Sequence, residues 1–538
     1  MNIAGHLPKM AASQPEMLAV AGADGRGGFR RWSFARLEQE SNAIAHGLEA
    51  RGIRRGVRTV LMVPPGPEMF AITFALFKVG AIPVLVDPGM GIEKLGVCLD
   101  EAVPEAFIGI PKAHVARLLF GWGRKTIRTL VTVGPRLFWG GSTLRGLVKG
   151  MDAKGARAPE DLEPNEQCAV LFTSGSTGVP KGAVYTHGIF EAQVALLKDT
   201  YGIEPGEVDL ATFPLFALFD AALGMSAVVP EMDATRPAQA DPQKILHAIE
   251  TFDVTNMFAS PALLHRLANH GEQHGIKLPT IRRAISAGAP ASPPVLARFQ
   301  AMLSDGVEIH TPYGATESLP VSSIGSREIL KETAAATAEG RGVCVGRPVR
   351  GMSVAIIPIR DDAIASWAET ETLPPGEIGE ITASGPVVTR AYDNRPEATA
   401  MAKIRAEDGT IHHRMGDVGY LDDAGRIWFC GRKAHRVETE HGTMFTAACE
   451  GLFNSHPGVY RSALVGVGTE PVLCVELEKD CTLDRDAVRN ELLALGQTQP
   501  DTARIKTILF HSAFPVDIRH NAKIFREKLA AWATEQLR

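Results

Sequence analysis

The feature that most constrains the fold is a regular alternation of short apolar runs with helix-forming stretches. Buried strands are predicted at 59–63, 81–86, 254–259 and 282–288. Helices are predicted between them, one capped by Ser33 and another opened by Asp241 and Pro242, which favour those positions. Strands that alternate with helices form parallel sheets that are covered on both faces. The sequence therefore predicts an α/β fold.

The pattern changes after about residue 340, where short strands are separated by glycine and aspartate turns, as in antiparallel β structure. A final segment follows Arg432. It combines helical stretches at 446–455 and 484–496 with an apolar strand at 471–478. We therefore predict a large domain of residues 1–432, made of parallel α/β sheets and a β-rich subdomain. Residues 433–538 are predicted to form a small, mobile α+β domain.

Charge and composition exclude several classes of protein. A formal net charge of −5 gives no reason to expect binding to nucleic acid. The seven cysteines lack metal-binding spacing, which indicates reduced thiols in a cytoplasm. One apolar run, 211–230, has the length of a membrane span. Pro214 and Asp220 interrupt this run and favour a buried core segment or a pocket wall, so no integral membrane segment is expected.

One region is strongly basic although the whole chain is acidic. Residues 106–151 contain no Asp or Glu, and aromatic residues are interleaved with the basic ones. The basic residues are Lys112, Arg117, Arg124, Lys125, Arg128, Arg136, Arg145 and Lys149. A solvated face is the simplest interpretation. The alternative is a docking surface for a partner protein or for anionic lipid headgroups.

The segment LFTSGSTGVPKG, residues 171–182, follows an apolar strand at 168–172. Gly175 and Gly178 let the backbone turn so that its N–H groups converge, and Lys181 adds a positive charge. The hydroxyl donors are Thr173, Ser174, Ser176 and Thr177. Convergent donors with a cation suit a phosphate group, whereas a flexible turn would not need the lysine. The spacing differs from that of a Walker P-loop.

This segment resembles the phosphate loop of the adenylate-forming superfamily, which includes acyl-CoA synthetases, non-ribosomal adenylation domains and firefly luciferases. Four further motifs resemble those of the superfamily and occur in the same order. They are SAGAP (286–290), YGATE (313–317), GDVGYLDDAGRIWFCGR (416–432) and PVDIRHNAKIFR (515–526). The chain is therefore identified as a member of this superfamily.

The resemblance implies a binding site for ATP. The phosphate loop is implied to hold the phosphates through residues 173–178 and Lys181. The adenine pocket is implied at Gly288, Ala289 and Pro290. Tyr313 is implied to lie on the adenine, with Gly314 beside it. Asp417 is implied to bind the ribose hydroxyls, and Arg432 to close the large domain.

The resemblance also implies a catalytic set and a metal. Thr316 is expected at the α-phosphate, Glu317 at Mg²⁺, and Lys523 of the small domain at the reacting carboxylate and α-phosphate. The reaction joins two anions, because a carboxylate oxygen displaces pyrophosphate from ATP. Catalysis of such a step depends mainly on positioning and on cations. ATP and Mg²⁺ are therefore the expected cofactors.

Several residues depart from the acyl-CoA synthetase pattern. Ala217 stands where a histidine or aromatic residue is common, and Ala434 stands at the usual hinge. Glu438 and Glu440 occupy the stretch that would meet CoA. Two carboxylates would disfavour the CoA phosphates if they line that path. These departures put thioester formation in doubt and spare the adenylation residues.

Other segments are similar to the OleC-type β-lactone synthetases of bacterial olefin biosynthesis, among them FPLFALF (213–219), EMDATRP (231–237) and FPVDIRHNAKI (514–524). This similarity implies adenylation of a long-chain 2-alkyl-3-hydroxy fatty acid. The substrate's own 3-hydroxyl would then attack the acyl-adenylate, release AMP and close a β-lactone. Phe216, Ala217 and Phe219 would line a pocket for the alkyl chains.

Some assignments stay open at this stage. His435, His187 and Asp220 are candidate bases for the 3-hydroxyl by residue type alone. A long-chain acyl-CoA or acyl-AMP ligase is the alternative enzyme, and a non-catalytic acyl- or nucleotide-binding scaffold is the alternative of another class. We also expect a cytoplasmic location and a complex with other olefin-pathway enzymes, through the basic region at 106–151.

Overall fold

The computed structural model describes residues 1–151, 155–173, 180–213, 216–478, 481–516 and 523–538. The strands in the first part of the chain are β1 (Leu18–Ala23), β2 (Phe29–Ser33), β3 (Arg58–Met62), β4 (Ile82–Leu85), β5 (Ala106–Gly109), β6 (Thr129–Thr132), β7 (Ser142–Thr143), β8 (Gln167–Thr173), β9 (Lys181–Thr186), β10 (Val208–Ala211), β11 (Ser226–Val229), β12 (Asn256–Ala259), β13 (Arg283–Ser286), β14 (Glu308–Ala315) and β15 (Ser318–Gly325). The later strands are β16 (Val343–Cys344), β17 (Arg347–Pro348), β18 (Ser353–Ile357), β19 (Gly379–Ser384), β20 (Lys403–Arg405), β21 (Ile411–Leu421), β22 (Ile427–Arg432), β23 (Val437–Thr439), β24 (Gly442–Met444), β25 (Val459–Val467), β26 (Glu470–Leu477) and β27 (Thr507–Phe510).

The helices cover these strands and join them. They are α1 (His6–Ser13), α2 (Phe34–Ala50), α3 (Pro67–Lys78), α4 (Ile92–Ala102), α5 (Pro111–Phe120), α6 (Leu144–Val148), α7 (His187–Tyr201), α8 (Asp220–Leu223), α9 (Pro242–Phe252), α10 (Pro261–His274), α11 (Pro293–Gln300), α12 (Ser326–Glu328), α13 (Ala334–Ala338), α14 (Pro396–Ala402), α15 (Thr446–Phe453), α16 (Arg485–Gly496) and α17 (Arg526–Gln536).

Two large sheets form the core of the first 350 residues. One has nine strands in the order β17-β15-β14-β13-β12-β10-β11-β1-β2, and its neighbours from β14 to β1 are parallel. The other has seven strands in the order β7-β6-β5-β3-β4-β8-β9, and β9 alone pairs antiparallel in it. Helix α3 is buried except at Glu68 and contacts strands of both sheets. A helix that is apolar all round belongs inside a protein. The predicted α/β fold is confirmed.

Local sequence accounts for where the helices begin. The Ser33 hydroxyl accepts a hydrogen bond from the Arg36 N–H at 3.3 Å, which caps α2. The Asp241 carboxylate accepts one from the Gln243 N–H at 3.0 Å, and Pro242 is the first residue of α9. Each cap satisfies an N–H group that has no partner inside the helix.

A β-rich subdomain and a smaller C-terminal unit follow the two large sheets. The subdomain is an antiparallel sheet in the order β16-β22-β21-β19-β18, with β20 paired to β21. The C-terminal unit has a three-stranded sheet, β25-β26-β27, and its own apolar core. Its helices α15 and α16 and strand β26 match predicted elements, whereas β25 and α17 were not predicted. The domain boundary at Arg432, and the mobility of the small domain, stay predictions.

The apolar run at 211–230 is divided among short elements. Its described residues end β10 and form α8 and β11. Ala217 and Leu223 are buried in the core, while Phe213 and Phe219 face a cavity described below. The run is therefore both core and pocket wall. Across the described parts of the chain, no helix combines the length and the apolar character needed to cross a bilayer.

Candidate active site

A cavity of about 1380 Å³ lies where the strands of both large sheets end. Its wall includes Met62 at the end of β3, Phe172 near the end of β8 and Phe258 in β12. The carboxyl ends of parallel strands meet at one edge of a sheet, which is where α/β proteins bind ligands. Lys523 of the C-terminal unit lines the same cavity. The cavity therefore brings the predicted catalytic lysine to the large domain.

Thr316 and Glu317 are the two turn residues of the hairpin formed by β14 and β15, and both line the cavity. The Glu317 side chain is buried, and its Oε1 accepts a hydrogen bond from the Tyr392 hydroxyl at 2.6 Å. Gly314 allows this tight turn, because a Cβ there would lie 2.6 Å from the carbonyl oxygen of Ser318. The hairpin thus presents a hydroxyl and an oriented carboxylate to the cavity.

Positive charge surrounds this hairpin. Lys181 lines the cavity, and its ammonium lies 5.1 Å from the centre of the Tyr392 ring. Lys403 is buried close by and donates to the Thr389 hydroxyl at 3.1 Å. Burial lowers the pKa of Lys403 to about 7, and the Glu317 carboxylate opposes that shift. Tyr392 and Lys403 lie outside the recognised motifs, and only the tertiary structure brings them close to Glu317.

A second cluster lies in the second half of β21. The Asp417 carboxyl is 3% exposed, and its Oδ2 accepts a hydrogen bond from the Tyr313 hydroxyl at 2.7 Å. Arg432 is its cross-strand partner, with Nη1 2.9 Å from Asp417 Oδ1. The guanidinium is not aligned to donate to Oδ1, which accepts no hydrogen bond from the described residues. Burial raises the pKa of Asp417, and Arg432 opposes that shift.

Asp417 Oδ1 is in ion-pair contact with Arg432, and a carboxylate oxygen carries a second lone pair that can still accept from a ligand. A ligand hydroxyl at Oδ1 would complete the set. Asp417 and Tyr313 are not in the described cavity wall themselves, although their neighbours Gly416 and Gly314 are. Gly288, which follows β13, lines the cavity and has φ +98°, a backbone conformation that favours glycine. Ala289 and Pro290 continue the same loop outside the cavity wall.

The phosphate loop is only partly described. Thr173 ends β8 and lies directly opposite Lys181 of β9 in the antiparallel pair. Ser174, Gly175, Ser176, Thr177 and Gly178 lie outside the described residues. The predicted loop therefore joins two paired strands, and its cation is in the cavity wall.

The other part of the cavity is apolar. Phe219 lines it, as do Phe74, Phe77 and Phe190. Ala217 is 1% exposed and packs in the core rather than on the cavity wall. Phe216 begins the short turn of helix that contains both residues. The side chain of Phe216 lies outside the described residues, and of the other two predicted acyl-pocket residues the structure brings Phe219 to the cavity.

The three candidate bases are absent from the described cavity wall. His187 is buried, its Nδ1 accepts from the Ile3 N–H at 3.3 Å, and burial lowers its pKa to about 4. Burial likewise lowers the pKa of His435 to about 4, whereas it raises the pKa of Asp220 well above the ordinary value.

His413 lines the cavity instead, although it is not one of the bases predicted from the sequence. Its Nδ1 lies 3.1 Å from the carbonyl oxygen of Ala402, so Nδ1 carries the proton and Nε2 the lone pair. Burial, reinforced by Lys403, holds the pKa of His413 well below its ordinary value. The register of β21 against β19 shifts between Arg414 and Val418, so simple alternation along the sequence did not identify His413 as a cavity residue.

The structure also describes Ala434, Glu438 and Glu440, the residues at the start of the small domain that depart from the acyl-CoA synthetase pattern. Ala434 lines the cavity. The Glu438 carboxylate accepts hydrogen bonds from Arg436 at 2.6 Å and from the Thr443 hydroxyl at 2.6 Å. These two donors lower the pKa of Glu438, which is therefore charged near neutral pH. Glu440 is exposed nearby. Their predicted effect on CoA stays a prediction.

Comparison with known proteins defines the class to which this fold and site belong. Residues 7–393 match the family model of AMP-binding enzymes. The chain belongs to this family, so the predicted membership in the adenylate-forming superfamily is confirmed.

Particular relatives match along their full length. The olefin β-lactone synthetase of Stenotrophomonas maltophilia (strain K279a) is 51% identical over 100% of this chain and 98% of its own. The olefin β-lactone synthetase of Xanthomonas campestris pv. campestris is 51% identical over 99% of this chain and 98% of its own. The o-succinylbenzoate coenzyme A synthetase of Bacillus subtilis, solved in complex with ATP and magnesium ion, has a TM-score of 0.75 and 21% identity, covering 98% of this chain and 99% of that chain. The similarity to the Bacillus subtilis enzyme shows that the two proteins share a fold.

Proposed function

We propose that this protein converts a long-chain 2-alkyl-3-hydroxy acid and ATP into a β-lactone, AMP and pyrophosphate. The observation that carries the proposal is one cavity with charged adenylation residues in one part and aromatic walls in another. The full-length identity of 51% to two olefin β-lactone synthetases supports the product.

In the first step, a carboxylate oxygen of the acid bonds to the α-phosphorus of ATP, and the bond to pyrophosphate breaks. Both reactants are anions, so the protein has to offset their repulsion. Lys181, Lys523 and Arg432 supply positive charge at the cavity wall. Fixed cations stabilise the charge that grows on the bridging and leaving oxygens. Asp417 Oδ1 is the proposed acceptor for a ribose hydroxyl.

Glu317 fits a Mg²⁺ ion that binds together with ATP. Its Oε1 is held by Tyr392, and the same carboxylate faces the cavity. Within the described ranges, no group of three His, Cys, Asp or Glu side chains forms a metal cage. Magnesium is commonly held by one or two carboxylates with substrate phosphates and water, which suits this arrangement. When bound, it neutralises charge on the phosphates.

In the second step, the 3-hydroxyl oxygen attacks the acyl carbonyl carbon, and the bond from that carbon to AMP breaks. The hydroxyl proton passes to a base. His413 is our candidate by position, because it lines the cavity and carries a lone pair on Nε2; its lowered pKa makes it a weak base, so we expect it to relay the proton rather than keep it. Attack within one molecule needs no second substrate, but closure of a strained ring requires the bound chain to be folded.

Two acids that differ by one hydroxyl test this proposal. The enzyme with ATP and a 2-alkyl-3-hydroxy acid should release AMP, pyrophosphate and a lactone in the absence of CoA, and CoA should not change the rate. The matched 2-alkyl acid without the 3-hydroxyl should stop at bound acyl-adenylate, because the nucleophile is missing. Mass spectrometry after a single turnover identifies both products. Rapid formation of acyl-CoA from the deoxy acid would establish an acyl-CoA ligase instead, and no consumption of ATP with either acid would support a scaffold.

We place this reaction in the cytoplasm. All seven cysteines are free, and six of them are buried. Reduced thiols are typical of that compartment. The expected complex with other olefin-pathway enzymes through residues 106–151 stays a prediction.

A further inference from the structure

Apolar side chains are exposed within the basic region. Helix α5 ends with Leu118, Leu119 and Phe120, which are 44%, 74% and 50% exposed, and the loop after β6 exposes Leu137 and Phe138 to 56% and 78%. We call these five residues the α5 patch. Soluble surfaces ordinarily carry single exposed apolar residues, whereas a group of them marks an interaction site.

Aromatic stacking joins the two segments of the patch. His114 lies one helical turn before Leu118 on α5, and its ring stacks on Trp139 at 5.1 Å. Trp139 follows Phe138 and packs against its ring at 5.4 Å. His114 and Trp139 are themselves buried, so this stacking anchors the loop after β6 on α5, the helix that carries the other exposed residues of the patch.

Exposed basic residues accompany the patch in the same part of the chain, among them Arg124, Lys125, Arg128 and Arg136. In the described parts of the chain, none of the eight basic residues at 106–151 lies within 4.0 Å of a carboxylate. The neighbouring helix α4 carries Glu93, Asp100 and Glu101, and Glu101 is paired with Arg395 at 2.6 Å. The whole chain has a net charge of −5, so this concentration of basic residues is local. Such a surface is complementary to an anionic one.

The same helix also lines the catalytic cavity. Lys112, Ala113 and Ala116 of α5 belong to the cavity wall, as does Trp122 just after it. Trp122 stacks with Phe120 of the patch at 5.7 Å. One helix therefore separates the exposed apolar surface from the cavity that holds Lys181 and Glu317.

We propose that the α5 patch docks on an anionic lipid surface and that the acid substrate passes from the bilayer into the cavity beneath α5. This rests on the proposed function, because an acid with two long alkyl chains partitions strongly into a bilayer. The leucine and phenylalanine side chains would enter the headgroup region, and the basic side chains would contact anionic headgroups.

Vesicle sedimentation of the full chain tests the docking. The protein should bind vesicles of phosphatidylcholine with phosphatidylglycerol and should not bind phosphatidylcholine alone. The double variant Leu119→Ser/Phe138→Ser should bind at least about tenfold more weakly, since apolar burial contributes to interfacial binding. Its matched control replaces exposed residues of the small domain, Tyr460→Ser/Leu483→Ser. Melting temperatures check that all variants are folded.

A second pair of variants tests how much the basic side chains contribute to vesicle binding. Arg124→Gln/Lys125→Gln/Arg128→Gln should weaken binding about 10²-fold, since each basic residue near an anionic membrane contributes about fivefold. The control triple, Lys9→Gln/Lys198→Gln/Lys506→Gln, removes the same charge from exposed positions elsewhere and should retain most binding. No binding of the wild type to anionic vesicles would overturn the proposal and leave a protein partner for this surface. Equal losses in variant and control would also overturn it.

Measurements of the rate of AMP release distinguish the membrane-docking proposal from the proposed function. With a short, water-soluble 3-hydroxy acid, the patch variants should release AMP at the wild-type rate. With a long-chain acid presented in anionic vesicles, their rate should fall in step with their binding. A patch variant that loses binding but keeps its rate on vesicles would overturn the delivery route. If the wild type consumes neither acid, the proposed function fails, and sedimentation still decides whether the patch docks.

Discussion

The substitution Asp417→Asn tests the link between the second cluster and ATP. Asp417 is 3% exposed, accepts from Tyr313 at 2.7 Å and lies 2.9 Å from Arg432. Asparagine keeps the shape of the side chain but removes the negative charge and replaces one acceptor with a donor. The change therefore affects the proposed hydrogen bond to the ribose with little change in side-chain volume.

The expected magnitudes differ for binding and for stability. A hydrogen bond to a charged group contributes about 1.5–3 kcal/mol, so ATP should bind about 10- to 100-fold more weakly. Removal of one partner from a fully buried ion pair costs about 3–5 kcal/mol. The side chain of Arg432 is 38% exposed and can be solvated, so the free energy of unfolding should fall by less than that.

Calorimetric titration with ATP and Mg²⁺, together with urea unfolding, measures both effects. Asp422→Asn is the matched control, because Asp422 pairs with Arg426 at 2.7 Å and accepts from the Trp428 indole at 3.0 Å, away from the cavity. The control should lose stability and keep its affinity for ATP. Unchanged ATP affinity in Asp417→Asn, with a loss of stability alone, would refute the ribose role.

Three further substitutions test Lys523, Glu317 and Lys403. Lys523→Ala should slow acyl-adenylate formation about 10²- to 10³-fold and leave ATP affinity near that of the wild type; loss of affinity in calorimetry would contradict this role. Glu317→Gln should lower the rate, and added Mg²⁺ should partly restore it, whereas a rate that ignores Mg²⁺ would exclude Glu317 as a ligand. Lys403→Met tests a pH dependence. The pKa of Lys403 is about 7 in the folded protein, below its ordinary value of 10.5. The unfolded chain therefore binds more protons between those values, and wild-type stability should rise with pH by about 1 kcal/mol per unit more than that of Lys403→Met. Urea unfolding at pH 8 and pH 9.5 measures the difference, and parallel slopes would disprove it.

Local features of the sequence were enough to predict the α/β architecture. Caps such as Ser33 and Asp241 act on N–H groups two or three residues away, and the apolar runs that form β3, β12 and β13 needed no distant partner to be recognised. Interactions between near neighbours are encoded in short windows of sequence. The same holds for the motifs that carry the family resemblance, which the comparison with AMP-binding enzymes confirmed.

Tertiary structure alone decided how the site is assembled. The partners Glu317 and Tyr392 are 75 residues apart in the chain, and Tyr313 and Asp417 are 104 apart. Sheet register and the packing of the β-rich subdomain bring such pairs together. A short stretch of sequence contains only one residue of each pair and cannot predict the contact. His413 was overlooked for this reason, and His187 was selected although it is buried against Ile3. The sequence by itself determined which elements form and which family they belong to. The fold decided which side chains share the cavity, because that depends on contacts between residues far apart in the chain.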